Sequence, residues 1–278
     1  MITRLFVFLL SLSPGMRKRV WRWWYQTMAR RHRGADWTFM NYGFADPKAE
    51  PILLEESDES NRLLIQLYHH TASQHELKGL KILEVGSGRG GGASYVARYL
   101  KPASVTGMDL CPQAVSLCNE LHGDITNLSF QEGDAEAMPY ENESFDVVLN
   151  VESSHCYPHM EKFLAEVCRV LRPDGHFLFC DLRLEGSLSR LDKQLAESGL
   201  KQIQRTDITP NIVEALDRIN ERKEKAIEQK VPWYVRSAFR DFAAVKGTIV
   251  YEAFRSGTGN YISCMMRKMK NRNFNELT

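Results

Sequence analysis

Leu83-Glu84-Val85-Gly86-Ser87-Gly88-Arg89-Gly90-Gly91-Gly92 decides how this chain is read. Ahead of it, Lys81–Val85 is a short apolar run with no helical period; behind it, residues 93–100 have helical character. A strand that runs into glycines and then into a helix lets backbone N–H groups approach a ligand at the helix N-terminus. The unit recurs downstream. Strands are expected at Ser104–Asp109, Leu128–Glu132, Phe145–Val151, 176–182, 201–207 and 261–266, with helices at 112–120, 160–171 and 189–198. This alternation predicts a parallel sheet with helices on both faces. Phe163, Leu164, Val167, Cys168 and Leu171 share one face of the third helix, and Arg172-Pro173-Asp174-Gly175 reads as the turn that stops it. About 35 helical residues, 211–245, broken at Pro232, lie before the last strand. Inserted there, they would cover the sheet's carboxyl edge, where open α/β folds bind ligands, and they are expected to act as a lid.

Gly86, Gly88 and Gly91 also satisfy the dinucleotide spacing G-x-G-x-x-G, so the loop alone does not choose a ligand. Asp109 ends the second strand, placed to accept ribose hydroxyls of either NAD or S-adenosylmethionine. Glu84 suits an ammonium and a sulfonium better than a pyrophosphate. Glu132-Gly133-Asp134-Ala135-Glu136-Ala137-Met138-Pro139 follows the third strand, and Asp134 there can accept from an adenine amine. Ser87, Leu110, Gly133, Ala135 and Asn150 complete the expected cofactor set with Gly86 and Gly88.

These motifs, in this order and joined by Phe145-Asp146-Val147-Val148 opening the fourth strand, resemble those of the class I S-adenosylmethionine-dependent methyltransferases. The resemblance implies S-adenosylmethionine as cofactor. It also implies an α/β, Rossmann-like doubly wound sheet, mostly parallel with an antiparallel last strand, plus N-terminal helices and a helical lid. A nicotinamide dehydrogenase is the rival reading, and the Gly133-Asp134-Ala135 loop disfavours it.

Asn150-Val151-Glu152-Ser153-Ser154-His155-Cys156-Tyr157-Pro158-His159 follows the fourth strand. A histidine at the carboxyl end of a central strand sits at the mouth of the ligand crevice, and an imidazole with a pKa of about 6.5 suits a general base. Asp181 ends the neighbouring strand and could hold the tautomer of His155 and stabilise its charged form, as triad carboxylates do. Tyr42, Glu152 and Tyr157 are candidate acceptor contacts, and residues 37–44 could wall the site. His159 reads as a helix-start residue and the His69–His70 pair as structural. Because His155 and Asp181 are both intact, a catalytically silent cofactor-binding protein is disfavoured.

E-S-S-H-C-Y-P-H and the following F-L-A-E-V-x-R-V-L-R-P-x-G are similar to the phthiotriol/phenolphthiotriol dimycocerosates methyltransferases and related lipid and fatty-acid O-methyltransferases. So are Val20-Trp21-Arg22-Trp23-Trp24-Tyr25, Ser57-Asp58-Glu59-Ser60-Asn61-Arg62, Gly90-Gly91-Gly92-Ala93-Ser94-Tyr95 and Val245-Lys246-Gly247-Thr248, so the likeness covers roughly residues 15–270. It implies methyl transfer to a hydroxyl, or less readily a carboxyl, of a lipid or polyketide-derived molecule. Sugar O-methyltransferases of similar build use a histidine in E-S-x-H and an aspartate ending strand five as base and partner, which assigns those roles to His155 and Asp181. The Glu152–His155 cluster also resembles the E-A-T-C-H-A-P motif of the sterol C-methyltransferases, though with one residue fewer between the Glu and the His, which keeps carbon methylation as the alternative.

Composition agrees with one large domain. With 278 residues, 43% hydrophobic and 26% charged, the chain is no disordered tail, fibre or disulfide scaffold. Its net charge of +1 hides a division: residues 1–35 hold eight of the 36 basic side chains and no acidic one, leaving 28 basic against 35 acidic, a net of −7. The division suggests a basic aromatic arm over 1–36, a helical cap over 37–80, and the catalytic domain over 81–278 with its lid at about 210–245. In the arm, residues 5–12 are too short an apolar run to span a bilayer and are followed by no small-residue cleavage site, which argues against export. Interleaved Trp and Arg there suit peripheral contact with an anionic membrane through residues 1–34; docking onto the body is the plain alternative, and nucleic acid is not expected. Six cysteines without a C-x-x-C pair fit a reducing, cytoplasmic setting. No His or carboxylate cluster has metal-ligand spacing, so metal-independent chemistry is expected. Nothing in the sequence indicates an oligomeric state.

Overall fold

In the computed structural model, residues 38–184 and 186–270 are described, and the alternating pattern forms a seven-stranded sheet. The elements in chain order are α1 (Arg62–Ala72), β1 (Lys81–Val85), α2 (Gly91–Tyr99), β2 (Ser104–Asp109), α3 (Pro112–His122), β3 (Leu128–Glu132), β4 (Phe145–Val151), α4 (Met160–Val170), β5 (Leu171–Leu184), α5 (Leu188–Ala196), β6 (Leu200–Asp207), α6 (Thr209–Lys230), α7 (Arg236–Phe242), α8 (Ile249–Ser256) and β7 (Gly259–Lys268). The strand order is β3-β2-β1-β4-β5-β7-β6. β1 pairs in parallel with both β2 and β4, whereas β7 runs antiparallel between β5 and β6. The order reverses between β1 and β4, and such a switch point opens a crevice at the carboxyl ends of the strands.

Side chains of period two divide the core between the two faces of the sheet. Ile82, Val147, Leu149, Leu178 and Cys180 pack with Leu64, Ile65 and Leu67 of α1, Val96 of α2, and Ile212 and Leu216 of α6. Leu83, Val85, Val148, Phe177 and Phe179 pack with Phe163, Leu164 and Val167 of α4 and Leu191 and Leu195 of α5. Phe39 and Phe44 join the first of these clusters, so the described part of the N-terminal cap is built onto the sheet. Each fully buried aliphatic or aromatic side chain contributes about 1.5–3 kcal/mol of transfer free energy.

The structure moves one boundary, keeps one break and adds one helix. β5 starts at Leu171, not 176: Leu171 pairs with Phe145, the chain then bulges with Asp174 at φ 66°, and pairing resumes at His176 with Val147. The expected Arg172–Gly175 turn is therefore a bulge inside the strand. The helical stretch 211–245 breaks at Pro232 as expected, because the residue before a proline is pushed out of the α region, and Val231 has φ −108° and ψ 128°. A further helix, α8, was not anticipated; Thr248 precedes it, and it buries Tyr251 and Phe254.

The insertion α6–α8 lies on a sheet face at its start, through Ile212, Ala215, Leu216 and Ile219, and then forms a small cluster of Ile227, Val231, Phe239 and Val245. Among the described residues no helix is long and apolar enough to cross a membrane. The arm, residues 1–36, lies outside the described residues.

Candidate active site

The crevice beyond β1 and β4 is a cavity of about 1050 Å³ measured out to open solvent. Its floor is the glycine loop. Gly86 N and Ser87 N donate to Met108 O at 2.8 and 3.0 Å, which ties the loop to the end of β2. Gly86 has φ +79°, and a Cβ there would lie 2.5 Å from Ser153 Oγ and 2.8 Å from the Tyr157 hydroxyl. Only glycine permits both that turn and that approach.

Gly86, Ser87, Gly88, Asp109, Leu110, Gly133, Asp134 and Ala135 all line the cavity. Asp109 Oδ2 accepts from Gly88 N and Oδ1 from Cys111 N, each at 2.9 Å. Burial pushes the Asp109 carboxyl up to about 6, and those backbone amides pull the other way. Asp134 caps its own loop by accepting from Glu136 N at 3.1 Å. Thr38, Phe39, Met40 and Asn41 form part of the wall, with Met108, Val151 and Pro158 adding apolar surface.

Two expected cofactor residues lie behind the cavity wall. Glu84 is fully buried and accepts from the Tyr68 hydroxyl at 2.8 Å; burial raises its carboxyl to about 8. Its Oε1 is tied to α1 beneath the loop, while Oε2 has no hydrogen-bond partner among the described residues. Asn150, also fully buried, donates to Val85 O at 2.8 Å and to Ser153 Oγ at 2.7 Å, which fixes the end of β1. Side chains on the inward pleat of a central strand point into the core, and these two do so.

β4 and β5 carry the second set of groups. His155 Nδ1 lies 2.8 Å from Asp181 Oδ1, and His155 N donates to Asp181 Oδ2 at 2.8 Å. Asp181 is fully enclosed, while 22% of the His155 side chain stays exposed. His155 does not itself line the cavity, although Glu152, Ser153 and Cys156 around it do. Burial opposes charge on the imidazole, but Cys156 and Asp181 outweigh it and raise the His155 pKa well above its ordinary value. Burial likewise opposes charge on Asp181, yet His155 and Arg183 hold its carboxyl well below the usual range.

The three candidate acceptor contacts fall into two places. Glu152 has φ +49°, a strained conformation for a residue with a Cβ. Its Oε2 accepts from Tyr42 N at 2.9 Å and from the Tyr261 hydroxyl at 2.7 Å, and burial raises its carboxyl to about 7. Tyr42 does not line the cavity; its hydroxyl donates to Phe242 O at 3.1 Å, and Lys223 Nζ sits 5.4 Å from its ring centroid. These contacts link α6 and α7 to the site, but no residue of α6, α7 or α8 lines the cavity, so the expected lid meets the site only from behind. Tyr157 does line it, with its hydroxyl 3.0 Å from Ser153 Oγ beneath the glycine loop.

The other histidines singled out in the sequence have structural partners. His159 precedes α4, and its Nδ1 lies 3.0 Å from Glu136 Oε2. His69 Nδ1 is 2.6 Å from the Tyr95 hydroxyl, and His70 stacks on Phe44. All six cysteines are free thiols.

Comparison with known proteins decides the family. Residues 83–179 match the methyltransferase domain family. The phthiotriol/phenolphthiotriol dimycocerosates methyltransferase of Mycobacterium leprae is 42% identical over 260 residues, covering 93% of this chain and 96% of that one. The chain belongs to this family of S-adenosylmethionine-dependent methyltransferases. A fatty-acid O-methyltransferase of Mycolicibacterium smegmatis is 39% identical to the methyltransferase, over 85% of each chain. Among solved structures, the geranyl diphosphate C-methyltransferase of Streptomyces coelicolor A3(2) has a TM-score of 0.62 at 15% identity, covering 88% of this chain and 98% of that one; at that identity the likeness is one of fold.

The methyltransferase's cofactor is S-adenosylmethionine, and the cavity fits it. Ser87 Oγ is buried in the wall with no hydrogen-bond partner among the described residues, so a polar ligand group would satisfy it. Asp109 and Asp134 line the same cavity beyond the ends of β2 and β3.

Sequence reading missed Arg183, Ser154, Lys223 and Tyr261. For Arg183 a signal existed: it lies two residues past Asp181 in β5, hence on the same face. For Lys223 and Tyr261 there was none, since α6 and β7 reach the site only by folding.

Proposed function

We propose that this methyltransferase transfers a methyl group to a hydroxyl, or less readily a carboxyl, oxygen of a lipid or polyketide-derived molecule, with His155 as general base. One observation carries the reading: the His155–Asp181 pair, 2.8 Å apart with the carboxylate fully enclosed, standing at the carboxyl ends of β4 and β5 beside the cofactor cavity. Gly86, Ser87, Gly88, Asp109, Leu110, Gly133, Asp134 and Ala135 would hold S-adenosylmethionine, which supplies an electrophilic methyl on a sulfonium. Asp181 engages Nδ1, so Nε2 of His155 is the nitrogen for proton transfer. A hydroxyl acceptor's oxygen would form its bond to the methyl carbon as the carbon–sulfur bond breaks, with its proton going to Nε2; an ionised carboxyl would need no base. Asp181 stabilises the resulting imidazolium.

The relatives support the acceptor class through their names, one a dimycocerosates methyltransferase and the other a fatty-acid O-methyltransferase. Peripheral contact with a membrane is part of the same proposal, because a long acyl chain must leave a bilayer to be methylated. Besides the basic arm, the turn between α6 and α7 supports it: Trp233 is 79% exposed and Tyr234 56% exposed, between Lys230 and Arg236. An exposed aromatic pair flanked by cations suits the headgroup level of an anionic bilayer.

The test uses methyl-labelled cofactor with 1-hexadecanol, palmitic acid or a lipid extract as acceptor, and locates the label in an ether, an ester or a carbon–carbon bond. Label in a carbon–carbon bond alone would overturn O-methylation. His155→Ala is expected to lower kcat by about 10²–10⁴ with cofactor Kd nearly unchanged; unchanged turnover would remove the base.

A further inference from the structure

Asp181 has more to do than hold one imidazole. Its Oδ1 accepts from His155 Nδ1 and from Leu182 N, each at 2.8 Å. Its Oδ2 accepts from His155 N at 2.8 Å and from Ser154 Oγ, and pairs with Arg183 Nη1 at 3.1 Å. Arg183 is only 9% exposed, and its Nη2 donates to Ser154 Oγ at 2.8 Å. Ser154 Oγ thus accepts from the guanidinium and donates to the carboxylate. An imidazole and a guanidinium share one enclosed carboxylate.

A buried carboxylate that faces a single imidazole favours the imidazolium, which has no lone pair with which to take a proton. Arg183 keeps its charge at any working pH. On the same carboxylate it takes up part of the negative charge and repels a second cation nearby. The other groups facing His155 are Cys156 and Glu152 from the segment after β4; Tyr42 and Lys223 act on Glu152. Of these, Glu152 is occupied by Tyr42 and Tyr261, and Lys223 Nζ donates to Ala243 O at 2.9 Å. Arg183 is the cation paired with Asp181 itself.

We propose that Arg183, bridged by Ser154, is a positioning residue that shares the charge of Asp181 and so weakens the hold of that carboxylate on the imidazolium form of His155. This rests on the reading of His155 as the base, but its first test does not require an acceptor.

The imidazole of His155 is titrated by NMR in the full chain with S-adenosylhomocysteine present, its signal assigned by its loss in His155→Gln. Arg183→Met is expected to raise the His155 midpoint by about one pH unit, Ser154→Ala by less, and Arg183→Lys hardly at all. If Arg183→Met fails to fold, Ser154→Ala decides. A His155 midpoint unmoved in the folded variants would overturn the proposal. The second test is the pH dependence of kcat/KM with 1-hexadecanol, an acceptor whose proton must be removed. Its acidic limb should move with the NMR midpoint, lowering the rate of Arg183→Met up to about tenfold at neutral pH and restoring it at high pH. A loss equal at every pH would mean that Arg183 is merely structural. An NMR midpoint that moves while the limb stays would leave the charge sharing in place and remove His155 as the base.

Discussion

Asp109 joins loop geometry to ligand chemistry in one side chain. Its two oxygens fix Gly88 N and Cys111 N while the residue lines the cavity, so the carboxylate both shapes the loop and faces what enters it. Asp109→Ala is expected to weaken S-adenosylhomocysteine binding by about 10–100-fold, the worth of roughly 1.5–3 kcal/mol for hydrogen bonds to a charged group. Calorimetry checks it, and an unchanged Kd would take Asp109 out of the site. Its carboxyl is raised to about 6, so the accepting form is lost as pH falls through that value, and cofactor affinity should fall with it. Asp109 and Asp134 were legible because an acid at a strand end in an alternating α/β chain faces the crevice. Glu84 and Asn150 were legible as residue types but not as positions, since which pleat turns inward is settled by what packs against each face.

At the scale of elements, α1 and the glycine loop act as one unit. The Tyr68 hydroxyl of α1 donates to Glu84 of β1, and a Cβ on Gly92 at the start of α2 would lie 1.9 Å from the Tyr68 ring. The loop is thereby pressed between a helix and the sheet, with a buried carboxyl beneath it. In the folded chain the Glu84 pKa is raised to about 8 from an ordinary 4.5. The stability tied to its proton is fully present below the unfolded value and is lost as pH rises towards 8. Glu84→Gln keeps an acceptor for Tyr68 but removes the titration. The variant should therefore lose less Tm than the parent between pH 6 and pH 8.5, by differential scanning fluorimetry; equal losses would place the carboxylate elsewhere in the balance. All seven strands and most helices were legible from apolar period and turn residues. The start of β5 was not, because only pairing of Leu171 with Phe145 makes that residue strand. Nor was α8, whose eight residues are helical because Tyr251 and Phe254 are buried.

For the whole molecule, the basic arm and the exposed Trp233–Tyr234 tip belong to one question, which is how an acyl chain reaches the crevice. Flotation with phosphatidylglycerol vesicles should show reduced binding on removing residues 1–34 and on Trp233→Ala with Tyr234→Ala. Equal binding by every form would leave the arm and the tip without a role at a membrane. By itself the sequence determined the fold class, the cofactor, and the identity of the His155–Asp181 pair, because each depends on local order: strand, loop, helix, and the residue at the strand end. Only the tertiary structure decided which carboxylates line the cavity, that no residue of the helical insertion α6–α8 lines it, and that Arg183 and Ser154 enclose Asp181. Those outcomes depend on which surfaces are buried against one another, and burial and charge sharing act between residues that meet only when β4, β5 and β7 lie side by side.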